Sequence, residues 1–105
     1  MSIPKLSAQD LERARTAATN ARRKRAELKE QVRVGKLSLA KAIDVANDDE
    51  ILSHLKVVDL LRAVPRVGER RAAVVMESLS IAPNRRVRGL GRLQVAGLKA
   101  EFGDR

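Results

Sequence analysis

Two short stretches hold the residues whose types and spacing could do chemistry, and in both the chemistry is the holding of oxygen anions. The first is Pro65-Arg66-Val67-Gly68, a compact turn between two apolar helical stripes. A proline pushes the residue before it out of the helical region, so the stripe ahead of Pro65 must stop there. A second helix is expected to start at Gly68 or Glu69 and run to about Ser80. Such a turn presents a helix N-terminus, whose free backbone N–H groups and positive dipole end attract an anion. Gly68 has no side chain to keep another backbone away, and Arg66, Arg70 and Arg71 add charge around it. The second stretch is Pro83-Asn84-Arg85-Arg86-Val87-Arg88-Gly89-Leu90-Gly91, a loop with a basic tip. All three basic positions, Arg85, Arg86 and Arg88, are arginine. That choice favours directed contacts to phosphates or groove edges, because the planar guanidinium binds oxygens in pairs. Gly89 and Gly91 let the loop bend or approach closely. Val87 and Leu90 are expected to anchor it while the arginines point outward.

Little else in the chain suggests catalysis. Asp48, Asp49 and Glu50 form the one concentrated acidic patch. Paired carboxylates can hold a metal or move protons, but at a helix start capping and the dipole explain them. They are expected to face away from a polyanion. His54 is the single histidine, which argues against a His-based metal site or a Ser–His pair. With no cysteine, disulfides and thiolate metal sites are excluded. No enzyme activity and no cofactor are expected.

The charge balance says what the anion is. In 105 residues there are 22 Lys+Arg against 13 Asp+Glu, a net charge of +9. A small basic chain of this kind points first to nucleic acid and second to an anionic membrane surface. No apolar run approaches the ~18 residues of a membrane-spanning helix, and no segment at the start reads as a secretory signal. Single-strand binders stack bases on aromatic rings. Here Phe102 is the only aromatic, at a position suited to core packing. Duplex binding through phosphates and groove shape is therefore preferred.

The elements that must position these stretches are all helical, and one domain spanning 1–105 is expected. Ser7 with Asp10 resembles a capping box. From Ala8 a long helix can run to Val34, ended by Gly35, a length of about 40 Å at 1.5 Å per residue. Its apolar stripe of Leu11, Ala14, Ala18, Ala21, Leu28 and Val32 is thin and interrupted by Arg25, so only partial docking is expected. Arg23 and Glu27 have the spacing of a helical ion pair. Arg22, Arg23, Lys24 and Arg25 spread charge over more than one turn and read as a basic arm. Ser38 can cap a helix to Val45 or Ala46. A short helix at 50–55 would turn Ile51, Leu52 and Leu55 inward. Residues 56–64 carry Val57, Val58, Leu60, Leu61 and Val64 as a helical stripe. Ala72, Val75, Met76 and Leu79 share one face of the helix after the turn. A final helix over 92–102 is continued by Leu93, Ala96, Leu98 and Phe102, and Gly97 inside it marks close packing against another helix.

PRVG followed by ERRAAVVME and then NRRVRGLG resembles the helix–two-turns–helix module of the actinobacterial integration host factors. The opening PKLS…RARTAATNARRKRAELK resembles their N-terminal helix, so the likeness covers nearly the whole chain. It implies an all-α fold: a long basic N-terminal helix over 7–34, two short helices over 38–55, and a DNA-binding module over 56–103. One departure is Arg66, where many turns of this type carry glycine. That would cost turn flexibility and add a phosphate contact. The resemblance implies a monomeric, cytoplasmic, nucleoid-associated protein that binds double-stranded DNA with little sequence preference and bends or constrains it. It further implies support of site-specific phage integration, beside a recombinase on the same DNA, and an influence on supercoiling and transcription. The contact set is then Pro65, Arg66, Val67, Gly68, Arg70 and Arg71 in the turn, and Arg85, Arg86, Arg88, Gly89 and Gly91 in the loop. Lys56 and, on the arm, Arg22, Arg23 and Arg25 complete it. The alternative is a structured-RNA binder of ribosomal type using the same module. Such proteins usually carry a long basic extension, and the short segment after the last helix favours DNA. DNA-repair enzymes use related hairpins, but no nucleophile–base pair stands beside this one.

Overall fold

The computed structural model describes residues 7–103. The expectation that residues 1–6, with Pro4 and Lys5 carrying no pattern, form a loose arm falls outside that range. Helix α1 spans Ala8–Arg33. The Ser7 hydroxyl accepts from the Asp10 N–H at 3.1 Å, and the Asp10 carboxylate accepts from the Ser7 N–H at 3.3 Å. This reciprocal pair satisfies two of the donors that a helix start leaves open. At the other end Gly35 takes φ +82°. Its N–H donates to the Val32 carbonyl at 3.2 Å and that of Lys36 to Gln31 at 2.9 Å, the paired closure that a left-handed residue permits.

Docking of α1 is confined to its second half. Residues 7–20 are exposed throughout, and only Leu28 and Val32 are buried. Leu11, Ala14 and Ala18 of the expected stripe therefore face solvent. Among the described residues the ion pair within α1 joins Glu30 and Arg33, in place of the expected Arg23–Glu27.

Helix α2 (Leu39–Asn47) is capped by Ser38, whose hydroxyl accepts from the Lys41 N–H at 3.2 Å. The segment after it differs from the expected helix at 50–55. It is a single 3₁₀ turn at Leu52–His54. Asp49 Oδ1 accepts from the N–H groups of Ile51 and Leu52 at 2.8 and 2.9 Å, which starts the turn in place of a longer α-helix. Leu52 and Leu55 are buried, as expected, but Ile51 is exposed. A tight three-residue turn has room to send only some of its apolar residues inward.

Helix α3 (Val57–Ala63) stops one residue short of the extended Val64 that Pro65 demands, and α4 (Glu69–Ser78) follows the turn. Helix α4 ends two residues before the expected Ser80. Ser80 instead takes φ +57°, and the N–H of Ile81 donates to the Met76 carbonyl at 2.8 Å. A second 3₁₀ turn at Val87–Gly89 leads to α5 (Arg92–Phe102). Gly97 is a packing glycine: a Cβ there would lie 2.4 Å from Leu79 Cδ2. Leu93 departs from the expected face and is 85% exposed; the inward positions of α5 are Leu98, fully buried, with Val95 and Phe102 half-buried.

One hydrophobic cluster joins the second half of α1 to all the later elements. Ala42, Leu61, Ala72 and Leu98 at 0% exposure and Leu60 at 1% lie at its centre. Helix α3 packs on both α1 and α4, and α2 on α5. The Lys99 ammonium adds an ion pair to Asp44 at 2.7 Å across α5 and α2.

Arg66 is, beside Ser80, one of two non-glycine residues of positive φ among the described residues. The Val67 N–H donates to the Val64 carbonyl at 3.1 Å, closing a four-residue turn with Pro65 and Arg66 at its centre. Arg66 has φ +69°, the left-handed conformation that the third residue of a type II turn requires and that glycine adopts at no steric cost. Holding an L-residue there costs roughly 1–2 kcal/mol. Glycine would relieve this but loses more chain entropy on folding, by roughly 0.5–1 kcal/mol. Arg66→Gly is thus expected to stabilise the protein by about 0.5–1 kcal/mol, a rise of a few degrees in the thermal midpoint. A lower midpoint would show that Arg66 makes a compensating contact.

Candidate nucleic-acid interface

Helix α3 organises the basic surface. It is seven residues long, about 10 Å at 1.5 Å per residue. The turn at 65–68 leaves its C-terminal end. The arginine loop is attached at its N-terminal end by a two-residue antiparallel bridge between Lys56 and Arg86. There the Val57 N–H donates to the Arg85 carbonyl and the Val87 N–H to the Leu55 carbonyl, both at 2.9 Å. Val87 is buried at 2% and Leu90 half-buried, so both hold the loop to the core as expected. Lys56 is exposed and lies beside Arg86. The turn and the arginine loop are therefore fixed at opposite ends of one short helix.

At the turn, Gly68 is the N-cap of α4 and supplies no side-chain cap. The first N–H groups of α4 are left for an external acceptor. A Cβ on Gly68 would meet nothing within 4 Å, and its φ of −87° is open to any residue. The fold itself does not require glycine here. The space in front of the helix start is simply open. Pro65, Arg66 and Arg70 are exposed around it and Val67 is buried beneath. Glu69 places one negative charge in the same first turn. Arg71 turns aside: its guanidinium lies 5.4 Å from the centre of the Phe102 ring, a cation–π contact with α5.

In the loop the arginines are exposed or half-buried, but they are not loose. Arg85 Nη1 donates to the Gly89 carbonyl at 2.8 Å. Gly89 has its own reason to be glycine, since a Cβ there would lie 2.9 Å from Arg85 Cδ. Arg86 Nη1 donates to the His54 carbonyl at 2.6 Å, and Arg88 Nη1 lies 3.1 Å from His54 Nε2. Each guanidinium has five N–H donors, so most of them remain available. Gly91 caps α5, its N–H donating to Gln94 Oε1 at 2.9 Å, while Gln94 Nε2 donates to the Ser80 carbonyl at 3.0 Å. The loop is thus tied at its start, middle and end. His54 is the participant that the sequence did not disclose. It stands 34 residues from Arg88, and no local spacing links them.

The arm joins this surface through its middle. The Lys24 ammonium pairs with the Asp49 carboxylate. Lys24, together with the backbone N–H groups of Leu52 and Ile51, holds the Asp49 carboxyl below its ordinary range. Asp49 of the acidic patch therefore caps, as expected. It also begins the same short segment that ends in His54, and its charge is masked by Lys24. Arg22 and Arg23 are exposed and Arg25 half-buried on the docked part of α1.

The helical bundle thus offers an uncapped helix start at one end of a short helix and a braced arginine loop at the other, two places where donors and positive charge face outward. Residues 32–102 match the family described as the S13-like H2TH domain. Over 103 residues the chain is 42% identical to the integration host factor of Mycobacterium tuberculosis, covering 98% of both chains. It is 40% identical to that of Streptomyces coelicolor, covering 98% of this chain and 96% of the relative. The structure of sIHF bound to an 8 bp palindromic DNA superposes with a TM-score of 0.81 at 42% identity, covering 84% of this chain and 99% of that one. The chain belongs to the actinobacterial integration host factor family.

Proposed function

We propose that this chain is a nucleoid-associated protein that binds double-stranded DNA through phosphates and the minor groove, with little sequence preference. The observation that carries the reading is the arginine loop bridged to the start of α3 while the open helix start of α4 stands at its other end. Two such points hold the phosphate strands that flank one groove. Arginine in the loop suits a narrow, electronegative minor groove. The DNA-bound relative supports duplex DNA as the ligand. The contact set is Arg85, Arg86, Arg88, Gly89, Gly91 and Lys56 on the loop side, and Pro65, Arg66, Val67, Gly68 and Arg70 at the turn. Arg71 acts more through Phe102 than on a phosphate. Arg22, Arg23 and Arg25 grip the backbone further along the duplex, and the DNA bends to reach them.

The role is architectural and not catalytic: constraining DNA in the nucleoid, shaping its topology and assisting a site-specific recombinase on shared DNA. The chain acts as a monomer in the cytoplasm; no helix among the described residues is long and apolar enough to cross a membrane. The test is a titration on matched duplex DNA, structured RNA and single-stranded DNA at two salt concentrations. Preference for the duplex with a steep salt slope is expected, because each neutralised phosphate releases counterions. Preference for structured RNA would replace this reading with a ribosomal one.

A further inference from the structure

Arg86 and Arg88 meet a single residue. Arg86 Nη1 donates to the backbone carbonyl of His54 at 2.6 Å, and Arg88 Nη1 is 3.1 Å from its ring Nε2. A guanidinium can only donate. The ring nitrogen facing it makes a hydrogen bond only as the acceptor, in the tautomer that carries the ring proton on Nδ1. An unconstrained imidazole prefers the opposite arrangement, with the proton on Nε2. A hydrogen bond from Arg88 would therefore fix the tautomer, as one ring nitrogen's partner commonly sets the state of the other.

We propose that His54 is a positioning residue for the arginine loop, its carbonyl and ring holding the guanidinium groups of Arg86 and Arg88 so that their remaining N–H donors are aimed before DNA arrives. The proposal rests on the duplex reading above. His54 does not itself supply the charge that meets phosphate. It removes freedom from two long side chains in the free protein. Ordering a rotamer-rich side chain at the moment of binding weakens association, and prior ordering avoids that loss. The 3₁₀ turn gives the brace a firm base. Leu52, Ser53 and Leu55 around His54 are buried, and the Ser53 hydroxyl donates to the Glu50 carbonyl at 2.9 Å. The His54 side chain itself is exposed, so it can be changed without opening the core.

The first measurement is the ring tautomer of His54 in the free protein, by long-range ¹H–¹⁵N correlation. The Nδ1–H form is expected, moving toward Nε2–H in Arg88→Ala. The second is duplex affinity of His54→Ala and His54→Gln. Alanine keeps the carbonyl and loses the ring acceptor, and binding is expected to weaken by about three- to tenfold. Glutamine restores a side-chain acceptor and is expected to recover most of the loss, with the far-UV signal unchanged in both. A wild-type ring in the Nε2–H form that ignores Arg88→Ala overturns the proposal. So does alanine binding as wild type while removal of the loop arginines abolishes binding, an outcome that leaves the duplex reading intact. If removing the arginines has no effect either, both fall.

Discussion

Replacing Arg85, Arg86 and Arg88 together by alanine is expected to weaken duplex binding at low salt about a hundredfold. Charge-assisted hydrogen bonds are worth at least roughly 1 kcal/mol each, and three of them make roughly two orders of magnitude. The slope of log affinity against log salt should fall by between roughly two and three, since each lost phosphate contact removes just under one counterion. The fold should not suffer. The acceptors left behind, the carbonyls of Gly89 and His54, belong to exposed residues and can turn to water. The bridge that holds the loop uses only backbone atoms. Affinity and salt slope are read by fluorescence anisotropy and the fold by far-UV circular dichroism. Unchanged affinity with an unchanged helical signal would mean that the loop is not the contact surface.

Leu61→Ala is expected to have the largest effect on stability. Leu61 is 0% exposed and lies on α3 between the arginine loop and the turn. Truncating a buried leucine costs about 2–5 kcal/mol, through lost transfer energy and the cavity left behind. Domains of this kind have about 5–15 kcal/mol in total, so roughly a third of the stability is at stake at the middle of both ranges. In urea the midpoint should fall while the slope stays constant, because the surface exposed on unfolding is nearly the same. A loss below about 1 kcal/mol would contradict the central placement of Leu61. Because both anion-seeking points hang on α3, the variant should also bind DNA more weakly at temperatures where the wild type is still folded.

How much of this was legible in the sequence depended on whether the cause was local. Ser7 with Asp10 and the glycine at 35 marked the two ends of α1 because caps act over three or four residues. Pro65 fixed the end of α3 through a clash with its own neighbour. Val87 and Leu90 stood out as the only apolar residues in a basic loop. Gly97 was legible as a packing position because glycine is otherwise unfavourable inside a helix. The misses at Leu93 and His54 came from contacts across the fold, and those at Ile51 and Arg66 from the backbone conformation of a tight turn. Leu93 continues an apolar pattern, yet α5 turns that side to solvent because α2 meets another one. Ile51 lost its expected burial when Asp49 wound the segment into a 3₁₀ turn. Arg66 was visible as a departure from glycine, but its left-handed conformation is a property of the closed turn. His54 had no signal at all, since its partners are brought to it by the bridge.

Helix α1 carries one further consequence. An isolated helix of a dozen or so residues is marginal in water, and residues 8–20 have the exposure of one, while Leu28 and Val32 are built into the core. Hydrogen exchange should therefore be graded along this one element. Amides near Leu28 and Val32 would exchange only when the whole protein opens, and those of the first turns by fraying alone. A single continuous helix would then have two lifetimes, with the boundary near Ala21, the first residue that the rest of the molecule partly covers.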